Sequence, residues 1–254
     1  MVSRVAGPSA NSPFRILRVS VTGSTNADLL ARARAGEPAG LVLVAEHQTA
    51  GRGRLDRRWE APPGANLLAS ILLRPAGPPH QWFRATMALA VAAVDACRAS
   101  GVGATIKWPN DVLVGADKLA GILAETDGAG AVVVGIGANV AWPAAGELAG
   151  ATSLAAHGVT LTPAAFLDEV LARLDHAAPD LLERYRSRCG TIGRMVRIEL
   201  PRDTAVQGRA VGVDDDGLLV IAVANDDDGA GGRHAPASTT RRFAVGDVVH
   251  VRAP

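Results

Sequence analysis

Residues 48–59 form a stretch rich in arginine and glycine that follows directly on the apolar residues 41–45. Gly51 and Gly53 allow the backbone conformations closed to other residues and a close approach to a ligand. Four cations lie within seven positions, and like charges this close repel one another unless anions lie between them. These cations are Arg52, Arg54, Arg57 and Arg58. The stretch therefore predicts a mobile loop that binds a phosphate or a carboxylate.

The charge and composition of the whole chain limit its class. The formal net charge is +1 over 254 residues, which argues against a protein that coats nucleic acid or anionic lipid. Apolar residues make up 48%, enough for a core, and no apolar run approaches membrane-spanning length. Cys97 and Cys189 are the only cysteines, and residues 1–13 lack the apolar block of a signal peptide. We therefore expect a cytoplasmic protein without a disulfide framework.

Lysine is scarce in this chain, since 24 arginines accompany only Lys107 and Lys118. A compositional bias towards alanine, glycine and arginine is one explanation. Under such a bias, a position that stays lysine is a candidate for work that arginine cannot do, because a compact ammonium enters sites too tight for a planar guanidinium. The pattern favours a functional role for both lysines.

The apolar periodicity predicts an α+β fold for residues 14–189, with helices packed on a mainly antiparallel sheet, after a disordered segment at residues 1–13. Gly135 and Gly137 indicate a close backbone approach or a bulge. Hydroxyl N-cap candidates, Ser24 and Thr25, precede the first helix. The predicted strands are residues 41–45, 66–73, 105–108, 112–114, 118–125 and 131–140, and the predicted helices are residues 27–35, 81–99, a helix beginning at Pro163, and 181–188.

Residues 190–254 predict a second domain, a small β-barrel. Alternating patterns mark strands at residues 196–200, 205–213, 217–223 and 248–251. Residues 225–240 are rich in aspartate, glycine and serine, which predicts a flexible hairpin insertion.

Four polar motifs fall in the first domain. They are Ser24-Thr25-Asn26, the loop of residues 48–59, Lys107-Trp108-Pro109-Asn110-Asp111, and Lys118-Leu119-Ala120-Gly121-Ile122. Together they supply cations for anionic groups, one carboxylate able to hold Mg²⁺, and neutral donors and acceptors for an uncharged polar ligand. The chain has no G-x-x-x-x-G-K-[ST] loop, no H-E-x-x-H and no G-x-S-x-G, and residues 135–140 lack the third glycine of a dinucleotide fingerprint.

These four motifs, in this order, resemble those of the biotin protein ligases. Asn66 after a glycine turn and the G-I-G-x-N pattern of residues 135–139 also fit, and the resemblance covers residues 14–188. The second domain corresponds by position and strand pattern only. The resemblance implies a mixed, mainly antiparallel sheet with helices, like that of class II synthetases and biotin ligases, followed by a small SH3-like barrel.

The resemblance also implies a two-step reaction. The carboxylate of biotin attacks the α-phosphate of ATP to give biotinyl-5′-AMP, and a lysine of an acceptor protein then attacks this anhydride. Mg²⁺ and protein cations offset the repulsion between the two anions. The implied partners are biotin, ATP and the biotin carboxyl carrier domain of an acyl-CoA or pyruvate carboxylase, with no nucleic acid and no membrane. We expect a monomer or a weak homodimer.

Residue roles follow from the resemblance, with Lys118, Arg54, Asp111 and Lys107 as the catalytic set. Lys118 is expected to contact the biotin carboxylate and the adenylate phosphate. Asp111 is expected to hold Mg²⁺ or Lys118, and Ser24, Thr25, Asn26 and Gln48 to bind the uncharged ureido end or orient nearby backbone. The full set of expected ligand contacts is Ser24, Thr25, Asn26, Gln48, Gly51, Arg52, Gly53, Arg54, Arg57, Trp59, Trp108, Asn110, Lys118, Gly121 and Asn139.

Several of these residues have a structural alternative. Ser24 and Thr25 could form only a helix cap, and Asn110 and Asp111 only a turn between strands. Trp59 could anchor the far end of the loop rather than cover the adenylate, and Arg58 is expected to be a surface charge. The loop departs from many relatives at Asp56, where they have glycine. Aspartate tolerates positive φ better than most residues, but its carboxylate pairs with neighbouring arginines and could slow loop closure.

Two other functions compete with this interpretation. A lipoate ligase or octanoyltransferase of similar fold would have a different lysine motif and no G-R-G-R loop. A ligase that also regulates transcription would need a helix-turn-helix domain, and the 23 residues before Ser24 are too few for one. We therefore expect a ligase without repressor function.

Overall fold

The computed structural model describes residues 13–54, 57–142, 150–200, 204–224, 238–244 and 247–250. Asp56, residues 1–12 of the segment predicted to be disordered (residues 1–13), and residues 225–237 of the predicted insertion lie outside the described residues. Residue 251, the last residue of the predicted barrel strand 248–251, also lies outside the described residues.

Seven strands form the first sheet, in the order β1-β2-β3-β7-β6-β5-β4. Strands β1 and β2 are parallel, and every other described neighbour pair in this sheet is antiparallel, which confirms the predicted mixed, mainly antiparallel sheet. Strand β1 is an addition to the prediction. Its residues are only partly buried at the edge of the sheet, so they show no apolar run. The strands are β1 (Arg15–Thr22), β2 (Leu41–Gln48), β3 (Asn66–Leu73), β4 (Ala104–Lys107), β5 (Asp111–Val114), β6 (Asp117–Thr126) and β7 (Val132–Asn139).

In the part of the chain that the structure describes, four α-helices accompany this sheet: α1 (Thr25–Arg34), α2 (Phe83–Ala99), α3 (Pro163–Arg173) and α4 (Leu181–Arg188). Short 3-10 turns cover Pro79–Gln81 and Ala155–His157. Helix α1 begins two residues earlier than predicted, with Ser24 in the extended N-cap position. Ser24 is the N-cap residue by position, but the prediction that its hydroxyl caps the helix is wrong, because the Ser24 side chain makes no capping hydrogen bond. No described helix is long and apolar enough to cross a membrane.

The sheet is covered on both faces. Because side chains alternate along a strand, Val42 and Val44 of β2 face the cluster around α2, while Leu41 and Leu43 face the cluster under α1. Every residue of β3 is buried, as a central strand between two covered faces requires. A polar side chain within β3 is therefore buried and needs hydrogen-bond partners inside the protein.

A second sheet of five antiparallel strands follows, in the order β11-β10-β9-β8-β12. The predicted insertion is wrong from residue 238, where β11 begins and pairs with β10, because this polar strand carries no alternating apolar pattern. Val196, Ile221 and Phe243 belong to the same buried cluster as helix α2. The boundary at residue 190 stays a prediction. The strands are β8 (Met195–Leu200), β9 (Thr204–Val213), β10 (Leu219–Ala224), β11 (Ser238–Phe243) and β12 (Asp247–His250).

Candidate active site

A cleft of about 280 Å³ opens beside the first sheet, where the start of α1, the end of β2 and the loop of residues 48–59 meet β5, β6 and β7. Its described lining includes five cationic side chains, Arg52, Arg54, Arg57, Arg58 and Lys118, against one carboxylate, Asp111. Arg58, predicted as a surface charge, is exposed but also lines the cleft. The predicted residues that line it are Ser24, Thr25, Asn26, Gln48, Arg52, Gly53, Arg54, Arg57, Trp59, Asn110, Asp111, Lys118 and Gly121.

One end of the cleft is neutral and polar. The Thr25 backbone N–H donates to Gln48 Oε1 at 2.8 Å, and the Thr25 hydroxyl lies 3.0 Å from the same oxygen. The Thr25 and Ser70 hydroxyls lie 2.6 Å apart, and Ser70 Oγ donates to Asn26 Oδ1 at 2.6 Å. These contacts hold Thr25 and Asn26, and no side-chain cap is made at Ser24. The motif is therefore not a simple side-chain helix cap, and its role in binding stays a prediction.

Two polar residues that contact the predicted ones, Ser70 and Glu125, were absent from the sequence prediction. Ser70 is fully buried in β3 and contacts both Thr25 and Asn26. Glu125, near the end of β6, accepts hydrogen bonds from Asn26 Nδ2 at 2.8 Å and from Arg52 Nη2 at 3.2 Å. A lone hydroxyl inside the apolar strand β3 was the available signal for Ser70. Glu125 carried no comparable signal, because a charged residue near a strand end is ordinary.

Glycines form the floor beneath Trp59. A Cβ atom at Gly137 would collide with the Trp59 indole, and one at Gly121 would lie 3.2 Å from Trp59 Cζ3. A Cβ atom at Gly135 would collide with the Asn26 side chain. The strand pairing of β7 is continuous here, so these glycines mark close approach rather than a bulge. Trp59 Nε1 is buried and has no hydrogen-bond partner among the described residues.

Lys118 and Asp111 form an ion pair at the cationic end of the cleft. Lys118 Nζ lies 2.7 Å from Asp111 Oδ1 and 5.6 Å from the centre of the Trp59 ring. The pairing of β5 with β6 shifts register between Val112 and Leu113, so that Asp111 lies opposite Gly121 and Leu113 opposite Lys118. Asp111 thus forms an ion pair with another residue of the cleft lining, in addition to its place at the turn between β4 and β5.

Asn110 connects the loop to the sheet. Arg54 Nη1 donates to Asn110 Oδ1 at 3.1 Å, while Asn110 Nδ2 donates to the Ile122 carbonyl at 2.6 Å. The turn that carries Asn110 is also held from the C-terminal side. The Tyr185 hydroxyl donates to the Pro109 carbonyl at 3.0 Å, and burial is the largest cause that raises the Tyr185 pKa well above its ordinary value.

Trp108 is buried beneath the turn. Its backbone N–H donates to Thr191 Oγ1 at 3.0 Å, and its indole N–H donates to the Gly217 carbonyl at 3.1 Å. It lines a hollow of about 670 Å³ that adjoins the cleft and shares Arg52, Gly53 and Arg54 with it. The loop therefore lies between the cleft and the hollow.

Four predicted site residues do not line the cleft: the expected ligand contacts Gly51, Trp108 and Asn139, and Lys107 of the expected catalytic set. Asn139 Nδ2 donates to the Thr152 carbonyl at 2.9 Å, and its Oδ1 accepts from Asn66 at 3.0 Å, so its side chain supports the chain around it. Gly51 packs against the Trp59 carbonyl. Lys107 closes the β4–β5 hairpin opposite Asp111. Its charge, after burial and Arg194, lowers the pKa of His250, which is about 4.

A metal site is not built by the described residues alone, since they contain no group of three or more histidine, cysteine, aspartate or glutamate side chains that could hold an ion. Asp111 is the one carboxylate in the described cleft lining. A Mg²⁺ ion commonly needs only one or two carboxylates when substrate phosphates supply other ligands. Asp111 therefore fits an ion that arrives with phosphates.

Comparison with known proteins gives matches over most of the chain. Residues 19–139 match the "Biotin/lipoate A/B protein ligase family", and residues 191–251 match the "Biotin protein ligase C terminal domain". The biotin--[acetyl-CoA-carboxylase] ligase of Mycobacterium tuberculosis is 41% identical over 96% of this chain and 92% of its own length. The bifunctional ligase/repressor BirA of Bacillus subtilis is 34% identical over 72% of this chain and 62% of its own length.

A solved structure shows the same fold. The biotin protein ligase from Aquifex aeolicus, in complex with biotin and ATP, superposes with a TM-score of 0.75 and covers 94% of this chain and 99% of its own. Its sequence identity is 24%, so the likeness concerns the fold.

Proposed function

We propose that this chain, which belongs to the biotin protein ligase family, activates biotin with ATP and transfers it to a lysine of a biotin carboxyl carrier domain. The observation that carries the proposal is the composition of the cleft. A neutral polar end formed by Thr25, Asn26 and Gln48 leads to a cationic end at Lys118 and the arginines of the loop. Biotin has the same division, an uncharged ureido ring and a carboxylate.

In the first step, a carboxylate oxygen of biotin attacks the α-phosphorus of ATP. The bond from that phosphorus to the oxygen bridging to the β-phosphate breaks, and pyrophosphate leaves. Two unit charges about 4 Å apart interact by about 4 kcal/mol near a protein surface. A cation between the carboxylate and the phosphate is therefore required, and Lys118 is our choice, with Arg52, Arg54 and Arg57 around the phosphates.

Asp111 orients Lys118 in this proposal. The 2.7 Å contact holds the ammonium at one point of the cleft, so that its remaining N–H groups are directed at the reacting anions. Asn110 has the corresponding role for Arg54 through the contact at 3.1 Å. Lys107 supports this hairpin from outside the cleft, and its assignment to the catalytic set stays a prediction.

Mg²⁺ remains part of the proposal. Asp111 would be its protein carboxylate, and when bound with the nucleotide the ion would offset negative charge on the phosphates. The adjoining hollow, with Trp108, Phe83 and Met87 in its lining, is where we place the nucleoside of ATP. Trp108 would then contact the nucleotide rather than biotin.

In the second step, the amine of an acceptor lysine attacks the carbonyl carbon of the anhydride. The bond from that carbon to the phosphate oxygen breaks, AMP leaves as an anion, and the amine proton passes to solvent. The leaving phosphate stays beside Lys118 and the arginines. Trp59 packs over the glycine floor and, with the loop, would keep water from the anhydride between the two steps.

The acceptor, assembly and compartment are proposals of the same kind. The acceptor is the carboxyl carrier domain of an acyl-CoA or pyruvate carboxylase, and the enzyme acts as a monomer or weak homodimer. We expect the cytoplasm, because Cys97 and Cys189 are both buried free thiols.

The test is a mass measurement of an acceptor domain after incubation with the protein, ATP, Mg²⁺ and either biotin or lipoate. We expect the mass to increase by one biotinyl group and not by a lipoyl group, with AMP and pyrophosphate as products. Labelling by lipoate alone would contradict the proposal. An acceptor lysine changed to arginine serves as the control.

A further inference from the structure

Glu125 is the only described carboxylate that contacts both the neutral end of the cleft and the loop. A single oxygen, Oε2, accepts from Asn26 Nδ2 at 2.8 Å and from Arg52 Nη2 at 3.2 Å. The Glu125 side chain is 24% exposed, and that of Arg52 is 46% exposed. The carboxylate thus links a buried amide to a cation at the surface of the cleft.

Asn26 is itself held from below. Its Nδ2 also donates to the Leu123 carbonyl at 3.1 Å, and its Oδ1 accepts from the buried Ser70 hydroxyl. Both oxygen and nitrogen of the amide are therefore assigned by their partners. We define the polar network as Gln48, Thr25, Ser70, Asn26, Glu125 and Arg52. It begins where the loop begins, passes under the cleft, and returns to the loop at Arg52.

The two hydroxyls of the polar network have fewer protons than contacts. Thr25 Oγ1 lies 3.0 Å from Gln48 Oε1, the two hydroxyls lie 2.6 Å apart, and Ser70 Oγ lies 2.6 Å from Asn26 Oδ1. Each hydroxyl has one proton, so two protons serve three contacts. Because Ser70 donates to Asn26, the Thr25 proton serves either Gln48 or Ser70.

Binding to Glu125 leaves Arg52 able to hold an anion. A guanidinium has five N–H groups in a rigid plane, and Glu125 takes one of them at Nη2. The carboxylate therefore restrains one end of the guanidinium without using all its donors. Fixing a cation before the substrate arrives reduces the cost of ordering it during the reaction.

We propose that Glu125 is a positioning residue, which acts through Arg52 by holding the loop over the cleft and linking it to Asn26. The role in catalysis rests on the function proposed above, whereas the link to the loop does not. Replacement of the carboxylate by an amide keeps the shape of the side chain and removes its charge. Arg52 then loses its ion pair, while Asn26 keeps its bonds to Leu123 and Ser70.

The kinetic test compares E125Q, Arg52→Ala and the double variant with wild type, by pyrophosphate release in the presence of biotin. Partly exposed ion pairs contribute up to about 1 kcal/mol, so E125Q should raise KM for ATP about two- to fivefold. The dissociation constant for biotin alone should change by less than about twofold, since an exposed pair contributes little and the Asn26 contacts remain. In the Arg52→Ala background, E125Q should have no further effect.

Glu37→Gln is the matched control. Glu37 pairs with Arg15 at 3.1 Å, and its side chain is 22% exposed, close to the 24% of Glu125. Unlike Glu125, which lines the adjoining hollow, Glu37 lines neither the hollow nor the cleft. It should leave KM for ATP unchanged. If the double variant raised KM for ATP by the product of the two single effects, Glu125 would not act through Arg52. An unchanged KM in E125Q would overturn the proposal equally.

A second measurement needs no substrate. Trypsin cuts after arginine, so the rate of cleavage at the four arginines of the loop, followed by mass spectrometry, reports how firmly the loop is held. These arginines are Arg52, Arg54, Arg57 and Arg58. E125Q should be cut faster than wild type without ligand, and Glu37→Gln should not. Equal rates in all three proteins would refute the link to the loop. If wild type releases no pyrophosphate with biotin, the proposed function fails, while this cleavage comparison still decides the role of Glu125.

Discussion

Replacement of Lys118 by arginine tests the argument from lysine scarcity directly. The end of the Lys118 side chain lies between Asp111, Gly121 and the Trp59 ring. A Cβ atom added at Gly121 would be 3.1 Å from both Cε and Nζ of Lys118, so the lysine already passes closely over the glycine. A planar guanidinium, with two more nitrogen atoms at its end, has to leave this position even though its charge is the same.

The expected loss follows from what Lys118 does in the proposed first step. Removing one preorganised group that stabilises charge in a transition state typically lowers the rate by about 10²–10³, or about 2.7–4 kcal/mol. Arginine keeps the charge near the site, so we expect K118R at the lower end, about a hundredfold loss in kcat. Lys118→Ala should lose more. Folding should change little, because a half-exposed ion pair contributes about 0.2–1 kcal/mol.

Pyrophosphate release under saturating biotin and ATP measures this effect, with the melting temperature as a check on folding. The other lysine provides a matched substitution, because Lys107 lies outside the cleft lining. A loss of kcat below about threefold in Lys107→Arg, which is the size expected of a surface substitution, would remove Lys107 from the predicted catalytic set. A K118R enzyme that turns over like wild type would refute the reasoning about the tight ammonium site.

Three further changes probe other parts of the structure. Gly137→Ala should raise the dissociation constant for biotin at least about fivefold, as measured by calorimetry, because its Cβ would force the Trp59 indole to move, and overpacking costs about 1–3 kcal/mol. Tyr185→Phe removes the bond to the Pro109 carbonyl, and a lost hydrogen bond should lower the free energy of unfolding in urea by about 1 kcal/mol, with a smaller effect on KM for biotin than on kcat. His250 has a pKa lowered from 6.5 to about 4, so the unfolded state binds more protons between these values. The melting temperature should therefore fall as pH decreases from 6.5 towards 4, and His250→Gln should show a weaker dependence over that range.

Much of the fold was readable from local patterns. Helix α2 and strand β3 were predicted nearly to their ends, because long apolar periodicity has one structural solution. Strands β1 and β11 were missed, since each lies at a sheet edge and its residues show no apolar run. The other two edge strands, β4 and β12, were predicted because each contains adjacent β-branched residues. The existence of β1 and β11 depends on the neighbouring strands β2 and β10.

The motifs of the site were also local, and this is why the chemistry was predictable. Each motif is a run of neighbouring residues whose types together suit ligand binding: arginine with glycine in the loop, asparagine with aspartate at a turn, and lysine near glycine in β6. These runs indicated a cleft for an anion and an uncharged polar group. The sequence by itself thus determined the family, the expected reaction and most of the residues that line the cleft.

Only the tertiary structure decided which of these side chains meet. Thr25 contacts Ser70 across 45 positions, and Asn26 contacts Glu125 across 99, so no local pattern reports either pair. Neighbouring side chains of a strand point to opposite faces, and a register shift of one residue exchanges them. The register shift between Val112 and Leu113 therefore affects how Asp111 is placed relative to Lys118, its ion-pair partner. Lys107, in contrast, lies outside the cleft lining. Register is set by the packing of whole sheets, which no single motif contains.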